Sequence, residues 1–154
     1  TLYHAFRNPR LKELFRIIDH AAIFLLIAGT YTPFTLVTLR GPWGWTLFGL
    51  VWACALAGVV TTVAFLKAPR WLPPALYIGM GWLVIIALEP LFAALSIPAI
   101  ALMAAGGISY TGGVAFYLWD RLPYNHAIWH AFVLGGSVTH FLCVLLYVLP
   151  MEAT

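Results

Sequence analysis

The chain has 154 residues, 63% of them hydrophobic and 8% charged, with a formal net charge of +3. Soluble domains carry about 25% charged residues, so this composition excludes an ordinary water-soluble globule. With a mean hydropathy of +0.94, a membrane is the natural solvent, and membrane lipids are the expected surroundings.

The basic residues are sparse and lie between apolar runs, which argues against a nucleic-acid partner. Cys54 and Cys143 fall deep inside apolar stretches and read as free packing thiols. No basic-then-apolar leader opens the sequence. Thr1-Leu2-Tyr3-His4-Ala5-Phe6 reads as the last turns of a helix, a stump over residues 1–6 whose beginning lies outside the chain.

Arg7-Asn8-Pro9-Arg10-Leu11-Lys12-Glu13 is a basic hinge, because its proline resists helix continuation. Five apolar runs long enough to cross a bilayer follow. They extend from about Leu14 to Leu39, Trp45 to Leu66, Ala75 to Leu95, Ala99 to Trp119 and Asn125 to Leu149. The third is interrupted by Glu89-Pro90, where a kink or early end is expected. The expected fold is an all-α polytopic transmembrane bundle, one membrane-embedded domain over residues 1–154 with no separate soluble domain.

Alternate loops carry the positive charge: Arg7, Arg10, Lys12 and Arg16, then Lys67 and Arg70, then Arg121. These loops should face the cytoplasm, which puts the C-terminus on the other side. Trp43, Trp45, Trp71, Trp119 and Trp129 sit near span ends and read as interfacial anchors. The small-residue run Gly106-Gly107-Ile108-Ser109-Tyr110-Thr111-Gly112-Gly113 favours close helix packing. The same run could line a cavity.

The candidate chemistry centres on His126 and His130 in Tyr124-Asn125-His126-Ala127-Ile128-Trp129-His130. Residues four apart share one helix face, about 6 Å apart along the axis, so two imidazoles can grip one metal ion. The competing reading is a pair of polar residues at a helix end near the interface. The topology puts His4, Asp19, His20, His126 and His130 at one membrane depth, and ionisable groups within spans usually mark a site. His4 is the expected third ligand, with His20 as its competitor, bonded instead to Asp19 or a backbone carbonyl. Three imidazoles with one open position form the catalytic rather than the structural zinc pattern.

Asp19 is expected beside that ion, orienting a water and taking its proton, rather than complementing Arg16 at a helix N-terminus. His140 lies about 21 Å along the helix from His126. It is expected to be buried and bonded to a neighbouring helix, or to line a deeper cavity. Glu89 is expected on the opposite side from the cluster.

Tyr3-His4, Asp19-His20-Ala21-Ala22-Ile23-Phe24, Ile27 to Phe34, Tyr77-Ile78-Gly79-Met80-Gly81-Trp82, Gly106-Gly107 with Tyr110 and Gly113, and His126-Ala127-Ile128-Trp129-His130 together resemble the hemolysin III family. That family resembles the bacterial branch of the progestin and adipoQ receptor group, within a superfamily that takes in the alkaline ceramidases. The resemblance implies a seven-span bundle, of which the first span and most of the second would lie outside this chain. It implies zinc held by His4, His126 and His130 near the cytoplasmic end, with Asp19 as the acid beside it.

The resulting expectation is a zinc-dependent hydrolase of lipid amide or ester bonds in a bacterial inner or plasma membrane. The alternatives are a cytolytic, pore-forming protein and a receptor-like membrane-homeostasis protein with structural zinc.

Overall fold

The computed structural model describes residues 8–64, 69 and 71–152. His4, the expected stump over residues 1–6, and the basic positions Arg7, Lys67 and Arg70 lie outside the described residues. The chain is an all-α transmembrane bundle, with no strand among the described residues. Among the described residues, five helical stretches are long and apolar enough to cross a membrane: Arg10–Thr38, Pro42–Ala64, Leu72–Ala94, Ile97–Leu118 and Asn125–Met151.

Helix α1 (Pro9–Pro33) begins where Asn8 accepts a hydrogen bond from the Arg10 amide at 3.0 Å, with proline at the first turn, where a missing N–H costs nothing. Pro33 brings no N–H for the carbonyl four residues back, and the helix loosens into a π-helical stretch, Phe34–Thr38. Threonine hydroxyls serve backbone carbonyls here. Thr32 Oγ1 donates to Ala28 O at 2.9 Å and Thr35 Oγ1 to Thr32 O at 3.0 Å. In hydrocarbon no water can do this, so the side chains must. Gly41, at φ 83, turns the chain into α2 (Pro42–Ala64).

The next span is broken. Helix α3 (Leu72–Gly81) passes into a 3-10 stretch, Trp82–Ala87, before α4 (Leu88–Ala94). The distortion lies upstream of Glu89-Pro90, because a proline ring crowds the carbonyl four residues back and removes the bond to it. Tyr31 of α1 repairs the break. Its hydroxyl donates to Gly81 O at 2.5 Å and accepts the Val84 amide at 2.9 Å. Trp82 Nε1 adds a bond to Thr111 Oγ1 at 3.2 Å.

Helix α5 (Ile97–Leu118) and helix α6 (Asn125–Cys143) pack along their lengths. Glycine makes this possible. A Cβ at Gly113 would fall 2.7 Å from the Phe132 Cβ, one at Gly136 2.8 Å from the Tyr110 ring, and one at Gly106 against the His140 imidazole. Gly107, one residue on, meets nothing within 4 Å and lines a cavity instead. The small-residue run thus serves both purposes, one on each face of α5.

Many large apolar side chains remain exposed on the bundle, among them Leu56, Val60, Leu134 and Phe141. For a multi-pass membrane protein these are lipid contacts. Cys54 and Cys143 are free thiols, and Cys143 donates to Ala99 O at 3.3 Å.

Candidate metal centre

Asp19 lies nearly three turns into α1, while His126 and His130 occupy the first turns of α6. The α1–α6 contact brings the three together. The two imidazole Nε2 atoms are 3.0 Å apart. Asp19 Oδ2 is 3.4 Å from His126 Nε2, and Oδ1 is 3.6 Å from His130 Nε2. All three side chains are partly buried.

Without an ion, the two imidazoles are within direct hydrogen-bond distance of each other at 3.0 Å. N–H···O bonds cluster near 2.9 Å, so the 3.4 and 3.6 Å carboxylate separations are long for direct ion pairs. Two ligands each about 2.1 Å from a tetrahedral ion lie about 3.4 Å apart. The two carboxylate separations fall near that value. One donor atom from each residue lies within 4.8 Å of the others, and the set of two imidazoles and a carboxylate could hold a metal ion.

Packing holds the imidazoles in place. Trp129 is 2% exposed, its ring 5.3 Å from His126 and 4.8 Å from His130. This corrects the anchor reading of Trp129. It faces α5 rather than the interface, into space that Gly113 leaves clear. Trp43, Trp45, Trp71 and Trp119 are exposed. Tyr117 of α5 packs on both Trp129 and His126, with ring centroids 4.8 and 5.9 Å away.

His20 is not in the cluster. Its Nδ1–H donates to Arg16 O at 2.9 Å, since a carbonyl can only accept. Tyr77 Oη of α3 donates to His20 O at 3.0 Å, tying α3 to the turn that carries Asp19. Arg16 pairs with Glu13, Nε to Oε2 at 3.2 Å, while Asp19 faces the imidazoles.

His140 Nε2–H donates to Met103 O on α5 at 3.1 Å, and its ring also lines the cavity. Glu89 is exposed on α4 and takes no part in the cluster. Trp129, Tyr117 and Tyr77 had no assigned role beside the site from sequence. Their relevance lies in inter-helix contacts, which leave no spacing signal.

A cavity of ≈260 Å³, mostly apolar, lies between α1, α3, α5 and α6. Tyr77 and Trp129 line it and also pack toward the cluster. Tyr31, Tyr110, Thr111 and His140 add polar atoms farther along.

The Haemolysin-III related family matches residues 1–141. The chain belongs to that family. It is 52% identical over 150 residues to Hemolysin-3 of Bacillus cereus, covering 97% of this chain and 68% of that protein. It is 50% identical over 147 residues to the Hemolysin-3 homolog of Bacillus subtilis (strain 168), covering 96% and 69%. The human Monocyte to macrophage differentiation factor is 25% identical over 156 residues, covering 96% of this chain and 63% of that protein. No solved structure matches the chain. For a haemolysin-III related protein, the cluster joins residues 107 and 111 positions apart in sequence (126 − 19 and 130 − 19). Only the bundle brings them within reach of one ion.

Proposed function

We propose that this haemolysin-III related protein is a zinc-dependent hydrolase of lipid amide or ester bonds, with its metal near the cytoplasmic face. The observation that carries the reading is the Asp19–His126–His130 triangle, whose edges of 3.0, 3.4 and 3.6 Å suit ligands and a close acid around one ion. His126 and His130 would hold zinc through Nε2, with His4 as the third imidazole. Bound there, zinc would supply Lewis acidity, polarising a carbonyl and making water acidic near neutral pH.

The protein's own contribution is positioning and proton transfer. Trp129 and Tyr117 fix the imidazole rings by packing. Asp19 sits across both imidazoles, so it can orient a water from one oxygen and accept its proton. Tyr77 steadies the Asp19 turn through the His20 carbonyl. The neighbouring apolar cavity gives a lipid chain somewhere to lie while its polar linkage meets the acid. Such a substrate would enter from the bilayer. The setting is a single membrane-embedded domain over residues 1–154 in a bacterial inner or plasma membrane, with the C-terminus on the non-cytoplasmic side.

Metal analysis of the detergent-purified protein tests the first step. We expect about one zinc per chain, lost in a His126→Ala, His130→Ala double variant. Asp19→Asn should keep its zinc and lose turnover across a panel of lipid amides and esters. Equal turnover in Asp19→Asn and the parent would remove Asp19 from the chemistry. The name of the Bacillus cereus relative favours a second reading, membrane lysis. Dye release from liposomes that persists in Asp19→Asn would support that reading instead.

A further inference from the structure

The junction between α5 and α6 contains an unusual residue just before the histidine pair. Tyr124 has φ 59 and ψ 21, the left-handed region, and is the one non-glycine residue with positive φ among the described residues. It stands at the N-cap of α6 without a side-chain cap. Strain of this kind persists only where the surroundings over-determine it. Here the next residue supplies the reason.

The Asn125 side chain serves three backbone groups on two helices. Its Oδ1 accepts the His126 amide at 2.7 Å, satisfying one of the donors a helix start leaves open. Its Nδ2 donates to Tyr117 O and to Trp119 O, each at 3.3 Å, where α5 ends. One amide therefore ties the first turn of α6 to the last turn of α5. The left-handed turn at Tyr124 precedes this double engagement directly.

We infer that Asn125 is a positioning residue for the metal centre, setting the rotation of the first α6 turn so that His126 meets Asp19. The inference rests on the metal reading above. Side-chain tips ride about 6 Å from a helix axis, so a rotation of about 10° displaces them by about 1 Å. A site of this kind tolerates about 0.5 Å. The glycine contacts at Gly113 and Gly136 hold α6 against α5 from Trp129 onward, and Tyr117 packs on the His126 ring, but these are ring contacts and none bonds the backbone of the turn that carries His126. The end of α6 that carries a ligand is thus the end that needs its own tie. Both Nδ2 acceptors are main-chain carbonyls, so the tie depends on the amide and on α5 geometry rather than on partner side chains.

The test compares the parent, Asn125→Ala and Asn125→Asp in detergent, with two readouts. The first is zinc affinity by competition with a chelator. The second is amide hydrogen exchange over residues 125–130 in zinc-free protein. Asn125→Asp keeps an acceptor for the His126 amide and loses both donors to α5. We expect zinc affinity to fall about 10- to 100-fold in both variants, the range for groups that orient ligands. Exchange in the first α6 turn should quicken, with the thermal midpoint of the zinc-free protein nearly unchanged. Parental affinity in Asn125→Ala, with or without faster exchange, would overturn the positioning role. Recovery in Asn125→Asp would assign the effect to the His126 amide alone and overturn the inter-helix tie. A parent that binds no zinc overturns the metal reading and this inference with it. A parent that binds zinc beside an equally tight Asn125→Ala overturns this inference only.

Discussion

Two flanks of the bundle are held by different means. Between α5 and α6, glycines at 106, 113 and 136 remove side chains so that the rings of His140, Phe132 and Tyr110 fill the gap. Between α1 and α3, hydroxyls take over. Tyr77 bonds the His20 carbonyl, and Tyr31 spans the Gly81 carbonyl and the Val84 amide, with the cavity between these two stitches. The first flank is close-packed and carries the imidazoles. The second contains a broken span and open volume. A close-packed seam thus stands beside a looser wall: the seam carries the two imidazoles, and the wall borders the cavity.

The sharpest way to break this contrast is a pair of substitutions on neighbouring residues of α5. Gly106→Leu should destabilise by about 3 kcal/mol or prevent folding, because its Cβ collides with the His140 ring. Gly107→Leu should stay within about 1 kcal/mol of the parent, since nothing lies within 4 Å of that position. Thermal melts in detergent read both. Similar losses in the two would mean that the faces of α5 do not differ as described.

Next in size is Tyr31→Phe. It leaves the Gly81 carbonyl and the Val84 amide without their shared partner, at a cost of about 1–3 kcal/mol. Amide exchange should quicken over 82–87 and stay unchanged in α6. Unchanged exchange at the break would show that the hydroxyl does not hold it. The smallest effect is expected at Tyr124→Gly, a gain of up to about 1 kcal/mol from relieving the left-handed strain, in part offset by glycine's freedom in the unfolded chain. A clear loss there would mean that the exposed Tyr124 ring makes a contact worth more than the strain.

Part of the candidate site is legible in the sequence. The four-residue spacing of His126 and His130 dictates a shared helix face, and Asp19 stood out because a carboxylate in an apolar run is expensive. The long apolar runs gave the spans for the same reason, since a bilayer leaves few other uses for them. What escaped was lateral. Trp129 looks like an interfacial anchor when judged by its position near a span end. It is buried because the face it occupies is the one Gly113 receives. The break in the third span was also displaced, because a proline acts on the turn before it.

The sequence by itself determined that the chain is helical, that it lies in a membrane, and that His126 and His130 share one helix face. Those properties follow from composition and from a helical period that each segment carries within itself. Tertiary structure alone decided that Asp19 faces both imidazoles, that His20 turns to the Arg16 carbonyl, and that Asn125 ties two helices together. These depend on the rotation of each helix about its axis. That rotation is set by which side chains its neighbours leave out, and no single segment encodes it.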